Sequence, residues 1–115
     1  MPCLQQLGRL ASIGGVFLIL YLSLVPGEAR PHVLPSGGQE HFIAYLGEAL
    51  LVAFAHWRTR TVVWWHAGLC ILAGACELAQ NFIPDRGPGW TGFIASSVGV
   101  AVAVGLFMLA KRVFR

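Results

Sequence analysis

Four apolar runs, near residues 10–25, 42–57, 62–83 and 90–110, are separated by breaks too short to hold anything but turns and one loop. A bilayer core is crossed by roughly 20 apolar residues of helix, with a tolerance of several either way. The pattern therefore predicts an all-α integral membrane bundle of four transmembrane helices, over about 8–25, 40–57, 62–83 and 90–110. The breaks have distinct chemistry: "PGEARPHVLPSGGQE" (26–40) is a Pro/Gly loop, "WRTRT" (57–61) a tight basic turn and "PDRGPGW" (84–90) a Pro/Gly turn. Short turns make consecutive helices antiparallel neighbours. Of the 115 residues, 57% are apolar and 11% charged, against about a quarter charged in soluble domains. The outer surface is thus expected to face lipid, in one domain spanning 1–115.

Orientation follows from Lys and Arg, which short loops retain on the cytoplasmic side. With four spans, the N-terminus, second loop and C-terminus share a side, which carries Arg9, Arg58, Arg60, Lys111, Arg112 and Arg115. The other side has Arg30 and Arg86, offset by Glu28, Glu40 and Asp85. Both termini are expected in the cytoplasm, with the first helix uncleaved because no small-x-small site follows it. Trp57, Trp64 and Trp65 gather at one membrane surface and Trp90 at the other, as an aromatic belt requires. His56 and His66 flank the basic turn and read as interfacial.

Ala95, Gly99 and Ala103 recur every four residues on the last helix, the spacing that lets membrane helices approach closely. Two readings stay open: packing inside one bundle, or the seam of a homodimer.

The polar residues inside the spans need explaining. His41, Tyr45 and Glu48 fall at i, i+4 and i+7 on one face of the second helix, with Glu40 just before them. Glu77, Gln80 and Asn81 share a face of the third, and Arg86 follows in the turn. At 1.5 Å per residue, Glu48 and Glu77 would each lie about 10 Å below the outer surface, so the two faces can meet. Carboxylates at that depth are disfavoured and mark functional candidates. Interhelical hydrogen bonds average under about 1 kcal/mol, so two acids are an inefficient glue.

No nucleic-acid role fits a net charge of +3 without basic clusters. No metal-ligand spacing, Ser/His/Asp order, Gly-x-Ser-x-Gly elbow or phosphate loop occurs, so no catalytic set, cofactor or metal is assigned. Cys3, Cys70 and Cys76 have neither metal nor disulfide spacing and read as packing residues.

The elements "SLVPG" (23–27), "EHFIAY" (40–45), "ELAQNFIPDR" (77–86) and "ASSVG" (95–99) together resemble the VanZ-like membrane proteins of bacteria across nearly the whole chain. The resemblance implies a multi-pass protein of the bacterial inner membrane whose recurrent polar positions fall on His41, Tyr45, Glu77, Gln80 and Arg86. It implies no settled activity; the family is named for a member linked to teicoplanin resistance. Two departures stand out. Relatives carry an acidic–basic pair where this chain has Gly37 and Gly38, Glu40 standing in for the acid. They also carry Asp and Asn where it has Gly92 and Ser96.

The expected function is an outward-facing pocket between the second and third helices that binds an anionic or lipid-linked envelope molecule. His41, Tyr45, Glu77, Gln80 and Arg86 line it, Arg86 contacting the anion, with Glu40 and Glu48 as subsidiary members. The alternatives are a membrane enzyme acting on envelope lipids, with His41 and Glu77 as acid and base, and a small dimeric proton-coupled transporter using Glu77.

Overall fold

A computed structural model of the protein describes residues 2–87 and 89–115. Four helices follow one another: α1 (Pro2–Leu24), α2 (Gly37–His56), α3 (Thr59–Gln80) and α4 (Trp90–Val113), with a short 3-10 turn at Gly27–Ala29. No strand occurs among the described residues. Helices α1, α3 and α4 are each long and apolar enough to cross a membrane. Helix α2 falls short on hydropathy because it carries Glu40, His41 and Glu48.

That most polar helix is also the most enclosed. Helix α2 touches each of the other three, whereas α1 and α4 both pack on α2 and α3 without meeting each other. Three apolar helices thus screen a polar one from lipid, as the desolvation of charge demands. The core is built from Ile19, Tyr45, Ala49, Leu69, Ala73, Val100 and Ala103, while Phe17, Trp64, Ile71, Leu78 and Phe82 stand exposed. Small residues inside and bulky apolar ones outside suit a lipid surround, where close packing rather than water exclusion holds helices together.

Glycines set the approach distances. A Cβ at Gly8 would sit 3.1 Å from the Ala55 Cβ, and one at Gly15 would run into the Glu48 carboxyl, so α1 lies tight along α2. Gly99 is tighter still: its Cβ would fall 2.6 Å from the Phe42 carbonyl oxygen and 3.1 Å from the Leu46 nitrogen. Gly99 and Ala103 are buried and Ala95 half-buried, so the small-residue stripe of α4 is occupied by α2. Of its two readings, packing inside the bundle is the one with structural support. Gly99→Val should be destabilising by about 1–3 kcal/mol, because backbone rather than a flexible side chain must yield. A lowered thermal unfolding midpoint in detergent, with Gly105→Val (open space around Gly105) as control, would register it.

Helix ends differ from the sequence expectation by up to six residues: α1 begins at Pro2 rather than 8, and α4 runs to Val113 rather than 110. Helix α2 starts at Gly37 rather than 40, because Ser36 caps it by accepting from the Gln39 N–H at 3.1 Å. It stops at Trp57, in the left-handed region (φ 52°), where Lys111 Nζ donates to the Trp57 carbonyl at 3.1 Å and lies 5.4 Å from the ring centroid. Helix α3 ends at Gln80, not 83, where the N–H groups of Asn81, Phe82 and Ile83 donate to carbonyls three residues back and tighten the last turn. The turn expected over 84–90 includes Pro88, which lies outside the described residues.

Candidate functional site

Pro26 follows the end of α1, so the last carbonyls of that helix have no intrahelical donor. Two side chains from the other end of the sequence supply them. Gln80 Nε2 donates to the Ser23 carbonyl at 3.0 Å, and Arg86 donates from Nε to Val25 at 2.9 Å and from Nη2 to Leu22. The backbone is stitched as well: the Gly27 N–H donates to the Pro84 carbonyl at 3.0 Å, and no Cβ would fit at Gly27 against the Asp85 backbone. The elements "SLVPG" and "ELAQNFIPDR" are therefore two halves of one joint.

Glu40 organises the neighbouring loop. It forms an ion pair with Arg30, and its Oε1 accepts from the backbone of Val33 at 2.9 Å and Leu34 at 3.3 Å. Being in the first turn of α2, it also faces the positive end of that helix.

Glu77 bridges three segments. Its Oε2 accepts from the Gly89 N–H at 3.0 Å, and its Oε1 lies 3.4 Å from His41 Nδ1, which has no aligned hydrogen-bond partner. Because α3 ends at Gln80, Glu77 sits in its last turn, about 5 Å from the helix end rather than the expected 10 Å. A charge there is closer to water than the sequence reading placed it. Gly92 on α4 closes over this pair: a Cβ there would be 2.8 Å from His41 Nδ1 and would collide with Glu77 Oε1. Ser96, buried one turn on, donates to the Gly92 carbonyl at 2.9 Å. Gly92 and Ser96 are thus bonded neighbours.

Around these groups lies a polar cavity of about 210 Å³, bounded by Arg30, His41, Glu77, Gln80 and Arg86 and by the glycine backbones at 37, 38, 87, 89 and 92. Both α2 and α4 begin at its edge, so first-turn N–H groups without intrahelical acceptors border it. Helix starts of this kind favour negative charge. Burial, with Arg30 nearby, brings the Arg86 guanidinium below its ordinary value, and Glu77 and Glu40 oppose the shift. Two cations thus repel one another across the rim. An apolar groove of about 350 Å³ runs on from it between α1 and α2, lined by Ile19, Leu22, Val33, Ile43 and Tyr45. Arg30, His41 and Arg86 belong to both spaces.

His41, Glu77, Gln80 and Arg86 are therefore brought together, and three other expected members are not: Glu40 borders the groove beside Arg30 rather than the polar cavity. Tyr45 is 4% exposed, packs in the core and lines the groove rather than the polar cavity. Glu48, at 5% exposed, points at Gly15 on α1, away from Glu77; a shared face on α2 spans an arc wide enough to meet two neighbours. Arg30 was missed, since a lone arginine in a 15-residue loop carries no spacing signal. His66 is not interfacial but 3% exposed, with Nε2 2.9 Å from the Ala49 carbonyl; starting α3 at Thr59 places it two turns inside. Among the described residues no three His, Cys, Asp or Glu side chains gather as a metal site would need. No family model, curated protein or solved structure matches the chain.

Proposed function

We propose that the protein is a four-span VanZ-like protein of the bacterial inner membrane, with antiparallel helices and both termini in the cytoplasm, that binds an anionic amphiphile at its outer end. The headgroup occupies the polar cavity and the chain lies in the groove. The carrying observation is the shared rim: Arg30, His41 and Arg86 border a polar space on one side and an apolar one on the other. A soluble anion would need no groove, and an uncharged lipid would leave two helix starts and the Arg86 guanidinium, which is bonded only to backbone carbonyls, without a charged counterpart. Arg86, committed to α1 through Nε and Nη2, keeps Nη1 for a ligand. Arg30 supplies the second cation beside Gly37 and Gly38, whose lack of side chains opens the mouth where relatives place a charged pair. Glu77 holds His41 and the Gly89 backbone in position.

The test is binding of a fluorescent long-chain alkyl phosphate to the purified protein, against the chain-matched alcohol. The phosphate should bind at least tenfold more tightly, and Arg30→Ala, which removes no helix cap, should lower phosphate affinity about tenfold, the scale of one charge-assisted contact. Equal affinity for phosphate and alcohol, or none for either, would overturn the reading.

A further inference from the structure

Glu48 is left over from the polar cavity, and its surroundings set it apart from Glu77. Both oxygens of Glu77 face polar groups. Glu48 Oε1 is buried without a hydrogen-bond partner, and no Lys, Arg or His nitrogen among the described residues forms an ion pair with the group. Its carboxyl lies in the hollow that Gly15 leaves by lacking a Cβ. Three helices surround this level of α2. Helix α1 brings Ser12, whose hydroxyl donates to its own Arg9 carbonyl at 2.8 Å, and Arg9, whose Nε donates lower down to the Ala55 carbonyl at 3.4 Å. Helix α3 brings His66, with Nδ1 also buried and unpartnered. Helix α4 brings Val100 and Ala103, which are apolar.

An ionised carboxylate so placed would carry an uncompensated charge, a cost of several kcal/mol that a bound proton removes. A purely structural residue here would sooner be Leu or Met, which fill the same space without an orphaned oxygen. We propose that Glu48 is a proton-binding site of the α1–α2 seam, separate from the headgroup cavity, which exchanges its proton with solvent along the His41–Tyr45 face of α2. His41, at the cavity rim, and Tyr45, one turn below it, lie on the same side of α2 as Glu48, so the path runs along one helix. A bound proton leaves the Glu48 carboxyl neutral; its departure restores the carboxylate. Losing the proton leaves a bare charge in the hollow beside Gly15. The site depends on the spanning arrangement proposed above but not on any amphiphile.

Infrared spectroscopy of the full-length protein in phosphatidylcholine vesicles at neutral pH tests this directly. Wild type should show a protonated-carboxyl C=O band that moves to lower frequency in D2O. Glu48→Gln should abolish the band, Glu48→Asp should retain one and Glu77→Gln should leave it intact, which keeps the outcome independent of alkyl phosphate binding. A band that survives Glu48→Gln, a wild-type protein with no such band, or a band that never moves in D2O would each overturn the proposal.

Discussion

Arg86→Ala should unfold the protein at markedly lower temperature, by an amount equivalent to about 2–4 kcal/mol, and should abolish alkyl phosphate binding in whatever fraction stays folded. The stability loss follows from the carbonyls of Leu22 and Val25, which accept from Arg86 and have no alternative donor once Pro26 has ended the helix. A half-buried carbonyl left without a donor costs roughly 1–3 kcal/mol, and two are stranded together. Arg86→Lys should recover only part of the loss, because an ammonium reaches one carbonyl where the planar guanidinium reaches two. Gln80→Leu, which strands the Ser23 carbonyl alone, should fall between wild type and Arg86→Ala. Thermal unfolding in detergent followed by circular dichroism measures all three. An Arg86→Ala protein with an unchanged midpoint would show that Arg86 is free for a ligand rather than tied to α1.

Gly92 substitutions should have the largest effect on the site without an equal effect on the fold. Gly92→Ala places a methyl 2.8 Å from His41 Nδ1 and into the Glu77 carboxylate, so one of the two must swing out of the cavity. Alkyl phosphate affinity should fall at least tenfold, about 1.4 kcal/mol. Gly92→Asp should fall further, since it adds a like charge beside Glu77 and a negative charge where the ligand's anion would sit. Helical content should stay near wild type, because α4 is anchored by Gly99 and Ala103 further along. Wild-type affinity in Gly92→Ala would mean that the His41–Glu77 approach is irrelevant to binding. The cavity, with His41 and Glu77 in contact range, has no room for a side chain at 92.

Much of the bundle was legible before any coordinates. Hydropathy runs depend on local composition alone, and Pro/Gly clusters punctuate the chain wherever it must turn. The helix ends were misjudged by six residues at Pro2 and by three at Gly37, Thr59, Gln80 and Val113, because capping and tightened last turns act over single turns that hydropathy averages away. For the site, helical spacing put Glu77, Gln80 and Asn81 on one face of α3 and His41 on a face of α2; Glu77, Gln80 and His41 border the polar cavity, whereas Asn81 is exposed and donates to the Leu78 carbonyl. Glu48 shares the His41 face of α2 but lies against Gly15 on α1.

What the sequence by itself determined is the material of four helices and which polar residues they must shelter, since burying a charge in an apolar surround is disfavoured wherever the helix goes. Only the tertiary structure decided the partners. Arg86 and Gln80 found the carbonyls of α1 from some 60 residues away, Arg30 joined the rim from a loop, and glycines made room for the Glu48 carboxyl at 15, for the His41–Glu77 pair at 92 and for the α2 backbone at 99. These are long-range contacts, chosen by the packing of whole helices, and no local pattern in the chain records them.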